Sequence, residues 1–187
     1  MFRTAFAALI IMTAPLFAAE VGDDGLHEAS WIEETFKDLR EDHEEATAQG
    51  KTLMVIIEQR GCIYCARMHE KVFPDPEITQ ALNDDFFVVQ INMFGDVEVT
   101  DLDGETMSEK DMVTRWNANF TPTLMFFPPD IVADLPANQA AVVTMPGAFG
   151  KWTTLNLLNW VSEAGYEGEE SFQRYHARIL KERGIVE

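Results

Sequence analysis

Two cysteines, Cys62 and Cys65, are the only ones in a chain of 187 residues, and two residues separate them. A bridge between them closes a very small loop. It removes little entropy from the unfolded chain, so stapling the fold is a poor reason for the pair to exist. Redox chemistry is a better one. A thiolate attacks a disulfide, and a second thiol close by resolves the mixed disulfide that results. The segment Cys62-Ile63-Tyr64-Cys65 follows an apolar run, Thr52 to Glu58, and opens a helical stretch from Ala66 to Phe73. That context puts Cys62 at a helix N-terminus, where free N–H groups and the helix dipole favour a thiolate. Cys65 sits one turn deeper and is expected to be shielded.

A second chemical signal comes sixty residues later, in Phe120-Thr121-Pro122-Thr123. Proline cannot donate to a sheet ladder, so it suits the first residue of a strand. It is also nearly alone in tolerating a cis peptide. A Thr121-Pro122 turn against the disulfide offers backbone groups to a substrate chain, with Ile63 and Tyr64 shaping the same surface. Glu58 lies on the same strand face as Ile56. It reads either as a proton-transfer group for the cysteines or as a salt-bridged or solvated residue at a strand end. His69, four residues after Cys65, falls on the same helical face and reads either as a group that lowers a thiol pKa or ligates metal, or, in preference, as a surface helix residue. The turn Asp101-Leu102-Asp103-Gly104 is a poor calcium loop, because Val99 would occupy its first ligand position.

The elements that must position these residues follow from periodicity and turn chemistry. A helix is expected from Ser30 to Gly50, with a Ser30–Glu33 capping box and apolar residues at Trp31, Ile32, Thr35, Phe36 and Leu39. Strands are expected at 52–58, 86–93, 123–127 and 141–145. Helices are expected at 66–73, 76–83, 108–117, 151–164 and 169–183, the last packing on the domain. Residues 94–107 read as an acidic, turn-rich connection. Alternating helices and strands ending in a hairpin mean an α/β fold, a mixed sheet of about four strands flanked by helices, with added N- and C-terminal helices.

The first 19 residues stand apart. Arg3 precedes an apolar core from Ala5 to Met12, Pro15 ends it, and Ala18 and Ala19 follow. This is the pattern of a secretory signal peptide cut after Ala18 or Ala19. The apolar stretch is shorter than the ~20 residues that span a bilayer, so no membrane insertion is expected after its removal. Residues 20–29 read as a flexible segment and 30–187 as one domain. The formal net charge is −18, from 14 Lys+Arg against 32 Asp+Glu. Such an excess opposes a nucleic-acid partner, whose phosphates require cations.

Together the Cys pair and the Thr121-Pro122 signal resemble the thioredoxin superfamily over about Ser30 to Ala164. The stretches Glu58-Gln59, Gly61-Cys62-Ile63-Tyr64-Cys65, Met68-His69, Asp75-Pro76-Glu77, Val99 to Glu105 and Thr121-Pro122-Thr123-Leu124 resemble, more narrowly, the exported thioredoxins linked to bacterial sulfur oxidation. The resemblance implies a periplasmic reductase of disulfides in exported proteins, with Cys62 attacking and Cys65 resolving. It also implies a membrane thiol-electron transporter as donor. Where cytosolic thioredoxins carry a buried Asp, six residues before the first Cys, this chain has Ile56. A disulfide-forming oxidase is the alternative within the same chemistry. A zinc module built on Cys62, Cys65 and His69 with His27, His43 or His176, and a redox-inactive binding domain, are the other classes. Neither a cofactor nor a metal is expected.

Overall fold

A computed structural model describes residues 20–131 and 134–185. The signal peptide expected at 1–19 lies outside the described residues. The elements run β1 (Glu20–Val21), β2 (His27–Glu28), α1 (Leu39–Ala48), β3 (Thr52–Glu58), α2 (Ile63–Lys71), α3 (Pro76–Asp85) and β4 (Phe86–Asn92). There follow β5 (Glu98–Thr100), β6 (Thr106–Ser108), α4 (Glu109–Arg115), β7 (Thr123–Phe127), α5 (Ala137–Ala140), β8 (Val143–Pro146), α6 (Lys151–Ser162) and α7 (Phe172–Glu182).

The main sheet has the order β4-β3-β7-β8. β3 pairs parallel to β4 and antiparallel to β7, and β7 pairs antiparallel to β8. Every residue of β3 and β7 is buried, which is why both read as unbroken apolar runs. Alternation divides them between two cores. Met54, Ile56, Val88, Leu124 and Phe126 face Met68 of α2, Ile78 and Leu82 of α3, and Leu155 and Leu158 of α6. Leu53, Val55, Ile57, Val89 and Phe127 face Leu39 and Ala46 of α1 and Met112 and Trp116 of α4. Glu58 has the parity of Met54 and Ile56, so it points to the α2 side. Asp75, Ser108 and Asp38 cap α3, α4 and α1 with side-chain oxygens, each satisfying a helix N–H that would otherwise lack a partner. Among the described residues no helix is long and apolar enough to cross a membrane.

Four sequence expectations need correction. Residues 30–38 are not helical. Ile32 instead bridges Val88 in parallel, and Glu33 N–H donates to the Val88 carbonyl at 2.8 Å. Burial of Trp31 against the sheet and its helices outcompetes the local capping box. Phe36, assigned to an apolar helical stripe, is 96% exposed. The chain then turns through Lys37, at φ +58°, before Asp38 starts α1. Residues 20–28, expected to be loose, form the β1–β2 ribbon. Residues 94–107, expected as a turn-rich connection, hold most of the β5–β6 hairpin, which closes around the Asp101–Gly104 turn. His69, expected at the surface, is buried. α7 packs on α6 through Tyr175 and its neighbours, with Tyr175 and Leu180 buried.

Candidate active site

β3 ends at Glu58 and the chain reverses through Gln59-Arg60-Gly61. Gly61 takes φ +71°, a conformation that a side chain disfavours. Cys62 is the N-cap of α2, and its sulfur accepts from Cys65 N–H at 3.0 Å. Cys62 and Cys65 form a disulfide with Cα atoms 5.2 Å apart. Cys65 is fully buried and Cys62 nearly so. Across from them, the Thr121–Pro122 peptide is cis. The Thr121 hydroxyl donates to Cys62 Sγ at 3.3 Å, and the Thr121 carbonyl oxygen lies 3.6 Å from the same sulfur. The Pro122 carbonyl accepts from Gly147 N–H at 2.7 Å. Ile63 and Tyr64 are 74% and 56% exposed, and Phe120 and Phe94 stand exposed as well. The structure therefore brings Cys62, Cys65 and Thr121 into contact. It places Pro122 at the foot of β7 and turns Ile63 and Tyr64 toward solvent.

Arg60 does not reach the sulfurs. Its guanidinium donates to the carbonyls of Asp23 and Asp24 at 2.9 and 3.2 Å, and its side chain lies across Gly25, where a Cβ would meet Nε at 2.4 Å. The β1–β2 ribbon is thereby clasped against the β3–α2 turn. Between them runs a groove of about 480 Å³ lined by Gly22, His27, Arg60, Cys62, Ile63 and Ala66, among others.

Beneath the disulfide lies a buried polar cluster. Glu58 is wholly buried. His69 Nε2 sits 3.0 Å from Glu58 Oε1, and Gln90 Nε2 donates to Glu58 Oε2 at 2.7 Å and to the His27 carbonyl at 3.0 Å. The rings of His27 and His69 stack at 4.4 Å, and Trp31 stacks on His69 at 5.7 Å. Burial alone pushes the Glu58 carboxyl up. The imidazoles of His69 and His27 outweigh that and hold it well below the usual carboxylate range, at about 2. His27 Nδ1 stands 3.8 Å from Glu58 Oε2, beyond hydrogen-bond reach, so its share acts through space. Ile56, at the position of the thioredoxin Asp, is core. The buried carboxylate of this strand is Glu58, two residues on.

Two imidazoles and a carboxylate with donor atoms within 4.8 Å of one another have the composition of a divalent-metal site. The ring planes, however, are 11° apart in a stack, so the in-plane lone pairs run side by side instead of converging on one cation. The zinc set considered from sequence is scattered. Cys62 and Cys65 are bonded to each other. His43 Nε2 lies 2.9 Å from the Pro128 carbonyl oxygen, and His176 Nδ1 lies 2.8 Å from the Asn156 amide.

Sequence reasoning weighed His69 beside the cysteines but preferred the surface for it, named His27 only as a zinc ligand, and missed Gln90 and the pairing of both imidazoles with Glu58. The turn-by-turn spacing of Cys65 and His69, and a lone Gln inside the apolar run Phe86-Phe87-Val88-Val89-Gln90-Ile91, were the available signals. Nothing local marked His27.

Residues 39–130 match a protein family described as a thioredoxin-like domain. Among solved structures, the chain is similar to a thioredoxin-fold protein from Helicobacter pylori. Their identity is 17% with a TM-score of 0.51, over 71% of this chain and 81% of that one. It is also similar to a thioredoxin from Thermus thermophilus, with 23% identity and a TM-score of 0.52, over 68% and 86% of the two chains. No curated protein sequence matches it. The fold is thioredoxin-like, as the order of elements around the Cys pair implied. The β1–β2 ribbon, β8, α6 and α7 lie outside the matched stretch.

Proposed function

We propose that the protein is a periplasmic thiol–disulfide oxidoreductase that reduces disulfides in exported proteins. The observation that carries this reading is the Cys62–Cys65 disulfide on the first turn of α2, with the Thr121 hydroxyl 3.3 Å from Cys62 Sγ. In the reduced form, the Cys65 N–H, the helix N-terminus and the Thr121 hydroxyl all favour a Cys62 thiolate. That thiolate attacks a substrate disulfide and one substrate sulfur leaves. Cys65 then attacks Cys62 Sγ, expelling the second substrate sulfur and restoring the bridge. The Glu58–His69 pair takes the Cys65 proton, the imidazole holding it while the ionised Glu58 carboxylate stabilises the imidazolium. Thr121, Pro122, Ile63 and Tyr64 form the surface on which the substrate backbone and side chains rest. A membrane thiol-electron transporter returns two electrons to the pair, and exported sulfur-oxidation proteins supply the substrate cysteines. The amino-terminal secretory pattern supports the compartment. The chemistry requires neither a cofactor nor a metal.

The deciding experiment is the equilibrium reduction potential of the Cys62–Cys65 couple in the mature protein. A value of about −270 to −230 mV supports a reductase, and a value near about −120 mV makes the protein an oxidase of the same chemistry.

A further inference from the structure

His69 stacks against both His27 and Trp31 and is buried, and its Nε2 is engaged by Glu58. A proton arriving on this pair from Cys65, one turn away on the same face of α2, needs a neighbour to leave by. His27 is that neighbour. It is 8% exposed, stacks directly on His69, and lines the groove beside Cys62 as well as a second groove that runs along Glu28 and Gln90. Its Nδ1 is buried, points toward Glu58 Oε2, and has no hydrogen-bond partner among the described residues. Leaving such an atom unpaired in a dry interior is costly, a penalty that a nitrogen kept free for a mobile proton explains.

We propose that His27 is the proton outlet of the resolving cysteine, relaying to solvent the proton that the Glu58–His69 pair takes from Cys65. The groups facing it are Glu58 from β3, His69 from α2, and the neutral amide of Gln90 from β4. Glu28 flanks it on its own strand, and Arg60 of the β3–α2 turn is tied to the ribbon carbonyls. The step balances. The Cys65 thiol gives up its proton, its electron pair forms the Cys62–Cys65 bond, and the Cys62–substrate bond breaks. The substrate leaves as a thiolate, and the proton passes through His27 to the groove. His27 thereby assigns the ribbon a task, although the ribbon lies outside the stretch that matches the thioredoxin-like family. This inference rests on the resolving role of Cys65.

The test follows reduced mature protein mixed with an excess of 5,5′-dithiobis(2-nitrobenzoate). One thiolate chromophore is released when Cys62 attacks and a second when Cys65 resolves. His27→Phe keeps a ring in the stack without a basic nitrogen. It is expected to leave the first release unchanged and to slow the second at least about tenfold, less than the ~hundredfold lower bound for a group that itself takes the proton, because His27 acts one relay step later. In His27→Ala, free imidazole is expected to restore the second release, which a purely structural role would not allow. His27→Gln, more conservative in polarity, is expected to slow like His27→Phe. A second release at the wild-type rate across the pH range in both His27→Phe and His27→Gln overturns the outlet. A product that carries two reagent adducts per chain by mass, with no restored Cys62–Cys65 bridge, instead overturns the resolving role on which the outlet rests.

Discussion

Glu58 Oε1 and His69 Nε2 meet at 3.0 Å in a space from which solvent is excluded, between the end of β3 and the helix that carries the Cys62–Cys65 disulfide. An ionised carboxylate that deep survives only with charge or hydrogen-bond partners. Here His69 and Gln90 bond to it and His27 stands close by. This thioredoxin-like fold thus carries a buried carboxylate on β3, two residues beyond Ile56, and pairs it with an imidazole of α2.

Glu58→Gln is expected to slow the resolving step by about a hundredfold, the lower bound for loss of a positioned acid–base group, and to flatten its pH dependence. The second chromophore release with 5,5′-dithiobis(2-nitrobenzoate) measures this. A wild-type profile would remove Glu58 from proton transfer.

The same carboxylate links stability to acid. Its folded pKa, about 2, lies below its ordinary value of 4.5. Its contribution is therefore present above about pH 4.5 and disappears as pH falls toward 2. The depression corresponds to something on the order of 3 kcal/mol. Urea midpoints of the wild type are expected to drop between pH 5 and pH 2 more steeply than those of Glu58→Gln.

Asp42 carries the opposite sign. Burial, the largest influence, pushes its pKa up to about 7, and the Thr35 hydroxyl, donating at 3.2 Å, only partly counters it. The folded state therefore binds a proton between about pH 4 and pH 7 that the unfolded chain has released, and stability falls as pH rises through that window. Asp42→Asn is expected to remove this slope and to raise the denaturation midpoint at pH 8.

Thr121→Val removes the hydroxyl that faces Cys62 Sγ. A hydrogen bond to a charged group contributes about 1.5–3 kcal/mol, so the Cys62 thiol of the reduced protein is expected to titrate about one unit higher. The pH dependence of iodoacetamide alkylation reads this directly. An unchanged profile would show that the hydroxyl does not support the thiolate.

Asp101 is wholly buried and collects Leu102 N–H, Ala137 N–H, Trp116 Nε1–H and the Arg115 guanidinium. Asp101→Ala strands the Leu102, Ala137 and Trp116 donors, while Arg115 keeps its paired bonds to Asp103, and is expected to destabilise the fold by about 3–5 kcal/mol, as measured by chemical denaturation. The reduction potential of the Cys62–Cys65 couple is expected to stay unchanged.

Local rules were enough to read much of this protein from its residues. Apolar runs such as Thr52–Glu58 and Thr123–Phe127 announce buried strands, because a strand covered on both faces has no polar side to show. A Cys pair that follows one of them and opens a helix places its first sulfur at the helix N-terminus whatever the rest of the chain does. A proline before the third strand marks the opposite wall. These features depend on neighbours within a turn or two. The company of Glu58 does not. His27 comes from a ribbon near the start of the domain, His69 from α2 and Gln90 from β4, and no periodicity says which ring will cover which. The same holds for Ser30 to Asp38, whose capping box favours a helix until Trp31 and Ile32 find the α2–α3 core and the edge of β4. Tertiary packing decided both, because burying Trp31 and satisfying a carboxylate in a dry interior outweigh the small energies of local propensity.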